Sequence, residues 1–290
     1  MPDTIPPTRV PLLSILVNAF LAILKITVGM VGHSYALMAD GIESCGDIIS
    51  SMVVYGGLYV ASIPADENHP YGHGRAESLA AIFSSCALIA AACIIGVESI
   101  REILTPHLMP RWYTLVVLAF AIVAKVLLSR YVDDAGKSID SSALKGDALH
   151  HFSDALISLA AFVGISIGLI GGPGYESADD WAALLACFII LYNGVNFFRV
   201  SIDNLMDVAP SAEIMDKIRA IARNAEGVIN IEKFRMRKSG LFYLVDVHVE
   251  VDGNITVQKG HEIAHRVSDL LRHSQYRIAD ATVHIEPDTR

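Results

Sequence analysis

Six apolar stretches constrain this chain more than any other feature, because each is close to the roughly 20 residues that a helix needs to cross a bilayer. They lie in the first two thirds of the sequence and raise the hydrophobic fraction of the whole chain to 53%. Their limits are Leu12–Val31, Tyr35–Ala61, Ala76–Leu104, Trp112–Ser129, Ala143–Gly171 and Ser177–Val200. The sequence therefore predicts a protein of the lipid bilayer with six transmembrane helices.

The distribution of Lys and Arg over the connections predicts the orientation of these spans, since cytosolic loops carry the excess of basic residues. If both termini are cytosolic, the basic residues on that side are Arg9, Arg75, Arg130, Lys137 and Lys145. The other side holds only Arg101 and Arg111. Lys25 and Lys125 lie nearer the ends of their spans, so we expect their ammonium groups to extend toward the interface.

The second and fifth spans each contain a pair of ionisable residues at the same spacing. Glu43 precedes Asp47 by four residues, so both lie on one helix face. His150 precedes Asp154 by the same interval. Ionisable groups inside a membrane are costly and usually functional, and four N and O ligands complete a tetrahedral metal site. The two pairs therefore predict such a site; for any one residue, the alternative is a hydrogen-bonding anchor between helices.

The depth of the two pairs agrees with this hypothesis. Each pair lies roughly 9–13 residues into its span, about 13–20 Å from either surface and near the membrane midplane. The pattern recurs after 107 positions, with three spans in each half, which predicts a 3+3 inverted repeat with a site at its interface. Asp40 and Asp147 fall on neighbouring helix faces and are left outside the primary site.

The connection after the second span, IPADENHPYGHGRAE, contains a further group of candidate ligands. Asp66, His69 and His73 are spaced by three and four residues, and with water they suit a second, exposed metal site. The alternative is a solvated loop whose histidines bind no metal.

Residues 209–290 are expected to form a separate cytosolic domain after a membrane domain over residues 1–208. Helical and alternating patterns predict an αββαβ domain of the ferredoxin-like type. The predicted limits are Ala212–Ala225, Val228–Arg237, Leu241–Val251, Val257–His273 and Arg277–Glu286. Its candidate metal ligands are His248 and Glu250 on the second strand, His261 on the second helix, and His284 and Glu286 on the third strand. The alternative is the polar face of a half-exposed sheet.

These motifs together resemble the cation diffusion facilitator family over essentially the whole chain, and most closely its bacterial zinc/iron efflux branch. The most specific parts are the motif Glu43-x3-Asp47, the motif His150-x3-Asp154 and the stretch from Ala65 to Glu77. The resemblance implies a homodimer in the bacterial inner membrane that exports a divalent cation, most often Zn²⁺, in exchange for protons. Because metal ligands must lose their protons, metal and protons compete, and His150 is the expected proton carrier.

Site roles follow from the same resemblance. It implies a transport site at Glu43, Asp47, His150 and Asp154. It implies a loop site at Asp66, His69 and His73, and a cytosolic site at His248, His261, His284 and Glu286 that joins two C-terminal domains. It also implies a salt bridge between Arg75 and Asp207 at the dimer interface.

The sequence departs from the family pattern at three carboxylates. Glu43 stands where Asp or His is usual, Glu232 where zinc-type relatives can have His, and Glu286 where an Asp is usual. The longer side chains leave the preferred cation open among zinc, ferrous iron, manganese, cobalt and cadmium.

Features of the sequence disfavour two other function classes and leave a third open. An intramembrane metalloenzyme is disfavoured because the sequence has no HExxH and four protein ligands leave no position for an activated water. A net charge of −9 argues against nucleic acid, which requires clustered Lys and Arg. A non-transporting membrane-bound metal sensor or scaffold would keep the same fold and remains the alternative.

Overall fold

The computed structural model describes residues 9–31, 35–104, 112–172, 174–175 and 177–288. Within the helices, the side chains at positions 29, 31, 35–43 and 179 lie outside this description.

The described ranges contain six helices that are long and apolar enough to cross a membrane, as predicted. They are α1 Arg9–Val31, α2 Tyr35–Ala61, α3 Arg75–Leu104, α4 Tyr113–Ile139, α5 Ser142–Gly171 and α6 Ala178–Leu205. Helix α4 continues ten residues beyond its predicted end at Ser129. The extension is charged, so hydropathy alone excludes it, but it keeps helical geometry and pairs Lys137 with Asp133 one turn away.

Helices α4 and α5 form a hairpin with a very short connection. Asp140 ends α4 in the left-handed conformation at φ 51°. Ser141 then caps α5, because its hydroxyl accepts a hydrogen bond from the backbone N–H of Leu144 at 3.2 Å. This turn fixes the depth at which the side chains of α4 meet those of α5.

The helical bundle has hydroxyl-bearing side chains in its interior and large apolar side chains on its surface, as expected for a surface that faces lipid. Buried positions include the hydroxyls of Ser14, Ser51, Ser85, Ser129 and Ser201. The exposed large side chains include Leu16, Ile23, Ile94, Val97 and Ile170. Lipid gives no hydrophobic drive for helix association, so small and hydroxylated residues at the helix contacts hold the helices together. Among these contacts, α1 packs on α2, α4 packs on α5, and α2 meets α5.

The C-terminal residues form an α/β unit whose element order is the predicted αββαβ. Its elements are α7 Ala212–Arg223, β1 Asn230–Ser239, β2 Phe242–Val251, α8 Val257–Arg272 and β3 Ile278–Pro287. Within the described residues, the sheet has the order β1-β2-β3. Strands β1 and β2 are antiparallel and meet at Gly240, where a φ of 61° suits glycine. Helix α8 crosses over to β3, which runs parallel to β2.

The alternation along β2 decides which face of the sheet is polar. Val245, Val247 and Val249 point into the core, where Val267 of α8 is also buried. Successive strand residues point to opposite faces, so His248 must lie on the face away from α8. The burial of the alternating valines thus places the candidate ligand His248 on the opposite, polar face of the sheet.

Spatially, the chain divides into two compact units. One unit contains Met1–Pro64 and Ala76–Ile202, and the other contains Ala65–Arg75 and Asp203–Arg290. Most of the connection between α2 and α3, from Ala65 onward, therefore belongs to the same unit as the αββαβ fold. The expected domain limits in the sequence, 1–208 and 209–290, stay a prediction.

Candidate metal centres

Three side chains from α2 and α5 meet inside the helical bundle and form what we call the membrane cluster: Asp47, His150 and Asp154. Each offers a ligand atom, and these atoms all lie within 4.8 Å of one another. The Nε2 atom of His150 is 3.0 Å from Oδ1 of Asp47. The side chains of Asp47 and His150 are buried, whereas that of Asp154 is partly accessible. Nitrogen and carboxylate oxygen at this separation suit a divalent cation.

Sequence reasoning missed a fourth member of this environment, which is Lys125 of α4. Its Nζ atom lies 2.7 Å from Oδ2 of Asp47 and 2.7 Å from Oδ2 of Asp154. The side chain is only 2% exposed, so the expectation that it extends to the membrane interface was wrong. Because burying two carboxylates without a counter-charge is very costly, the ammonium is held between them. The signal was available, since an ionisable residue inside an apolar span is a functional hypothesis by default.

Glu43 is the expected fourth ligand, and its side chain lies outside the described residues. Its backbone belongs to α2, one turn before Asp47. Its part in the membrane cluster stays a prediction.

Asp147 and His151 form a neighbouring polar group. Asp147 is fully buried and accepts hydrogen bonds from the hydroxyls of Ser14 at 2.9 Å and Ser51 at 3.1 Å. His151 lies 3.6 Å from Asp147 through Nε2 and 3.9 Å from Asp154 through Nδ1. Asp147 therefore ties α5 to α1 and α2, and its exclusion from the primary ligand set stays a prediction.

The loop cluster consists of Asp66, His69 and His73, and lies within the C-terminal unit. One oxygen of Asp66 accepts a hydrogen bond from the backbone N–H of His69 at 2.6 Å and lies 3.2 Å from the ring of His69. Its other oxygen is 3.4 Å from Nε2 of His73. The backbone hydrogen bond from His69, with help from both rings, holds the pKa of Asp66 below its usual value. An ionised carboxylate between two imidazoles is a suitable set of metal ligands.

Arg75 and Asp207 form a bidentate ion pair within the same unit. The Nη2 atom of Arg75 lies 2.7 Å and 2.8 Å from the two carboxylate oxygens of Asp207. Arg237 adds a contact of 3.3 Å to one of these oxygens. The geometry joins the pair inside one chain, and its expected location at a dimer interface stays a prediction.

The sheet cluster consists of His248, His284 and Glu286. Parallel pairing of β2 with β3 sets His248 beside His284, and their ring centroids are 4.9 Å apart. Nδ1 of His248 is 2.6 Å from Oε1 of Glu286, which is 3.4 Å from Nε2 of His284. Two imidazoles therefore converge on one carboxylate oxygen.

Glu232 of β1 faces the sheet cluster at 3.9 Å from Nδ1 of His248. A hydrogen bond to Glu286 raises the pKa of Glu232, because only the protonated carboxyl group can donate it and because the two negative charges repel each other. Hydrogen bonds from Glu232 and His248 hold the pKa of Glu286 below its usual value. The contact thus shifts the pKa values of the two carboxyl groups in opposite directions, so Glu286 is the more acidic of the pair.

The structure does not bring His261 into the sheet cluster. This residue lies on α8, where its Nε2 atom is 3.1 Å from Nε2 of His265, one turn further along the helix. Glu250, the other sequence candidate on β2, accepts a hydrogen bond from Asn230 at 3.0 Å. Sequence periodicity could assign His261 to a helix but could not give the rotation of that helix about its axis.

A membrane bundle with a buried carboxylate–imidazole cluster, followed by an α/β unit with two further His–carboxylate clusters, defines a class of membrane protein that handles divalent cations. Comparison with known families agrees. The model of the cation efflux transmembrane domain matches residues 12–206, and that of the cation efflux protein cytoplasmic domain matches residues 210–288. The chain belongs to the cation efflux family and is a divalent metal cation efflux transporter.

Several relatives align along nearly their full length. The manganese efflux system protein MneP of Bacillus subtilis is 29% identical over 96% of this chain and 95% of its own. The uncharacterized transporter MJ0449 of Methanocaldococcus jannaschii is 34% identical, covering 95% and 96% respectively. The cation-efflux pump FieF of Pectobacterium atrosepticum is 29% identical, covering 88% and 84%. The solved structure MamM-CTD 215-293 is 27% identical over 26% of this chain and 95% of its own, with a TM-score of 0.25.

Proposed function

We propose that this chain is a homodimeric antiporter of the bacterial inner membrane, with cytosolic termini, that exports a divalent cation in exchange for protons. Its transport site comprises Glu43, Asp47, His150 and Asp154 near the midplane of the bilayer. The observation that carries the proposal is the convergence of Asp47, His150 and Asp154 from two packed helices inside the bundle. Ionisable side chains inside membrane spans are costly and rare, so a largely buried cluster of three indicates a functional site.

The contact between Asp47 and His150 supports proton coupling. Its 3.0 Å separation requires a hydrogen atom between Nε2 and Oδ1. A cation that binds both atoms must displace that hydrogen, since metal ligands are deprotonated when they bind. A neutral imidazole can keep its hydrogen on Nδ1, so a net proton is released only when the empty pair carries one proton more than a neutral imidazole and an ionised carboxylate together. Cytosolic metal would displace that additional proton, and reprotonation of the pair from the outer side would release the metal.

The proposed cargo is a first-row divalent cation, with Zn²⁺ and Mn²⁺ as the two main candidates. A four-ligand site with one imidazole suits tetrahedral Zn²⁺. The three carboxylates of the proposed set also suit the harder Mn²⁺, and the similarity to a manganese efflux system protein supports that choice. Because of the same similarity, we do not assign the chain to the zinc/iron branch of the family.

The remaining clusters have proposed roles outside the membrane. The loop cluster of Asp66, His69 and His73 would hold a cation beside the spans. The sheet cluster would bind a cation that joins two copies of residues 209–290, with residues 1–208 as the membrane domain. Arg75 and Asp207 would brace the dimer next to that boundary.

Metal-driven proton flux in vesicles reconstituted with the purified protein tests the proposal. A panel of divalent cations would be compared with Asp154→Ala, and with Glu98→Gln as a matched control at an exposed carboxylate that pairs with Arg101. We expect flux that Asp154→Ala abolishes and Glu98→Gln preserves. Native transport by Asp154→Ala would refute the site. An absence of flux with every cation, from folded protein, would favour a metal sensor or scaffold.

A further inference from the structure

The ammonium of Lys125 occupies the position where the carboxylates of the membrane cluster converge. Its Nζ atom is 2.7 Å from one oxygen of Asp47 and 2.7 Å from one oxygen of Asp154. Both carboxylates belong to the group that a metal ion would use. The chain therefore carries a cation of its own, attached to α4, in direct contact with two of the proposed metal ligands.

A divalent cation and this ammonium compete for the same carboxylates. A metal bound by a carboxylate oxygen stands about 2.0–2.2 Å from it and would therefore lie close to an ammonium on the same group, even where a lone pair is free. Two cations on shared oxygens also repel strongly where water screens them little. Lys125 is almost completely enclosed, so its charge has little other screening there.

We propose that Lys125 is a tethered competitor of the transported cation. Its ammonium neutralises Asp47 and Asp154 when no metal is bound, and it moves off them when metal binds. The long, flexible lysine stem permits such a movement. This inference rests on the proposed transport site. In it, Lys125 of α4 controls the metal affinity of a site whose ligands come from α2 and α5.

Competition has two consequences for transport. It lowers the affinity of the carboxylates for any cation, so that bound metal can leave on the outer side. The ammonium also balances the negative charge of the two carboxylates when no metal is bound. The transporter without metal therefore does not contain two unpaired carboxylates inside the membrane. A site with only carboxylates and imidazole would bind more tightly and release more slowly.

If the ion pair of Lys125 is purely structural, removal of Lys125 should not raise the affinity for metal, whereas competition predicts that it does. If Lys125 only holds α4 against α2 and α5, its removal weakens the fold and leaves metal affinity unchanged or lower. If it competes, its removal frees two carboxylates for metal and raises the affinity. The direction of the change in affinity therefore separates the two roles.

The test measures equilibrium binding of Mn²⁺ and Zn²⁺ to the purified full-length protein. His73→Ala and His248→Ala form the common background, which weakens the loop and sheet clusters. In that background we expect Lys125→Met to lower the Kd by about tenfold or more and to slow turnover at saturating metal. Lys125→Arg keeps the charge and should bind metal no more tightly than the background protein. Asp154→Ala should lose the binding.

Each outcome bears on one claim. A folded Lys125→Met protein whose Kd is unchanged or higher, together with loss of binding in Asp154→Ala, overturns the competitor role but leaves the transport site intact. Binding that survives Asp154→Ala overturns the transport site itself. If Lys125→Met does not fold, Lys125→Gln carries the same test, because an amide can donate to the carboxylates without a charge. Tighter binding by that variant supports competition, and equal or weaker binding overturns it.

Discussion

The membrane cluster and the sheet cluster use the same chemistry in opposite surroundings. Both combine imidazole with carboxylate, and in both a His nitrogen lies within 3.0 Å of a carboxylate oxygen. In the bundle, the excess negative charge is balanced by the ammonium of Lys125. On the sheet, the two carboxyl groups of Glu232 and Glu286 lie beside solvent, and the contact raises the pKa of Glu232. Burial in the bundle thus requires a counter-ion within the cluster, whereas on the sheet water screens the charges and a carboxyl group can respond by a shift of its pKa.

The largest effect is expected from breaking the membrane cluster at Asp47. Asp47→Asn removes the charge from an oxygen pair that contacts both His150 and Lys125, at almost unchanged size. We expect metal transport to fall about 100-fold or more, because a buried site loses one of its few charged ligands. Metal uptake into vesicles measures the change. Asp133→Asn, on the exposed end of α4, is the matched control and should transport normally; normal transport by Asp47→Asn would contradict the assignment.

A smaller effect is expected from His150, since carboxylates remain to bind the cation. His150→Ala should keep part of the metal transport, reduced by about tenfold, while the number of protons moved per metal ion falls. Parallel records of metal uptake and of a pH-sensitive dye give that ratio. An unchanged ratio would remove His150 from the proton path and transfer that role to the carboxylates.

In the sheet cluster, by contrast, the charge depends on pH, so a substitution there should change how stability varies with pH. The pKa of Glu232 is raised in the folded state, so the proton it binds stabilises the fold at low pH, and this contribution is lost as pH rises through the raised pKa. At neutral pH the two carboxylates repel each other. With a chelator present, Glu232→Gln should therefore raise the melting midpoint slightly at neutral pH and flatten its dependence on pH. A lower midpoint would mean that Glu232 makes a favourable contact instead.

The same comparison explains how far the sequence could lead. Period and spacing were sufficient for the six spans and for the αββαβ order, and they placed His248 and His284 on strands. The parallel register that sets these two residues side by side came only from the sheet. Period and spacing were insufficient for Lys125, because its position between α2 and α5 depends on how a third helix packs. Hydropathy also ended α4 at Ser129, before a run of charged residues, although a helix can continue into water. The local sequence pattern determines on which face of a helix or strand a residue lies. Tertiary packing determines which other elements contact that face.

The smallest effect distinguishes the two histidine groups of the C-terminal unit. His261 pairs with His265 along α8, whereas His248 and His284 converge on Glu286 across the sheet. His284→Ala should therefore weaken cobalt or zinc binding by the sheet cluster about tenfold, while His261→Ala changes it by less than about twofold. Binding to the full-length protein in the Asp154→Ala background would measure both. Equal losses would show that His261 reaches the sheet cluster of a second copy, because within one chain its nitrogen is directed to His265. The size of the His261 effect thus reports whether the cluster is completed inside a protomer or between two.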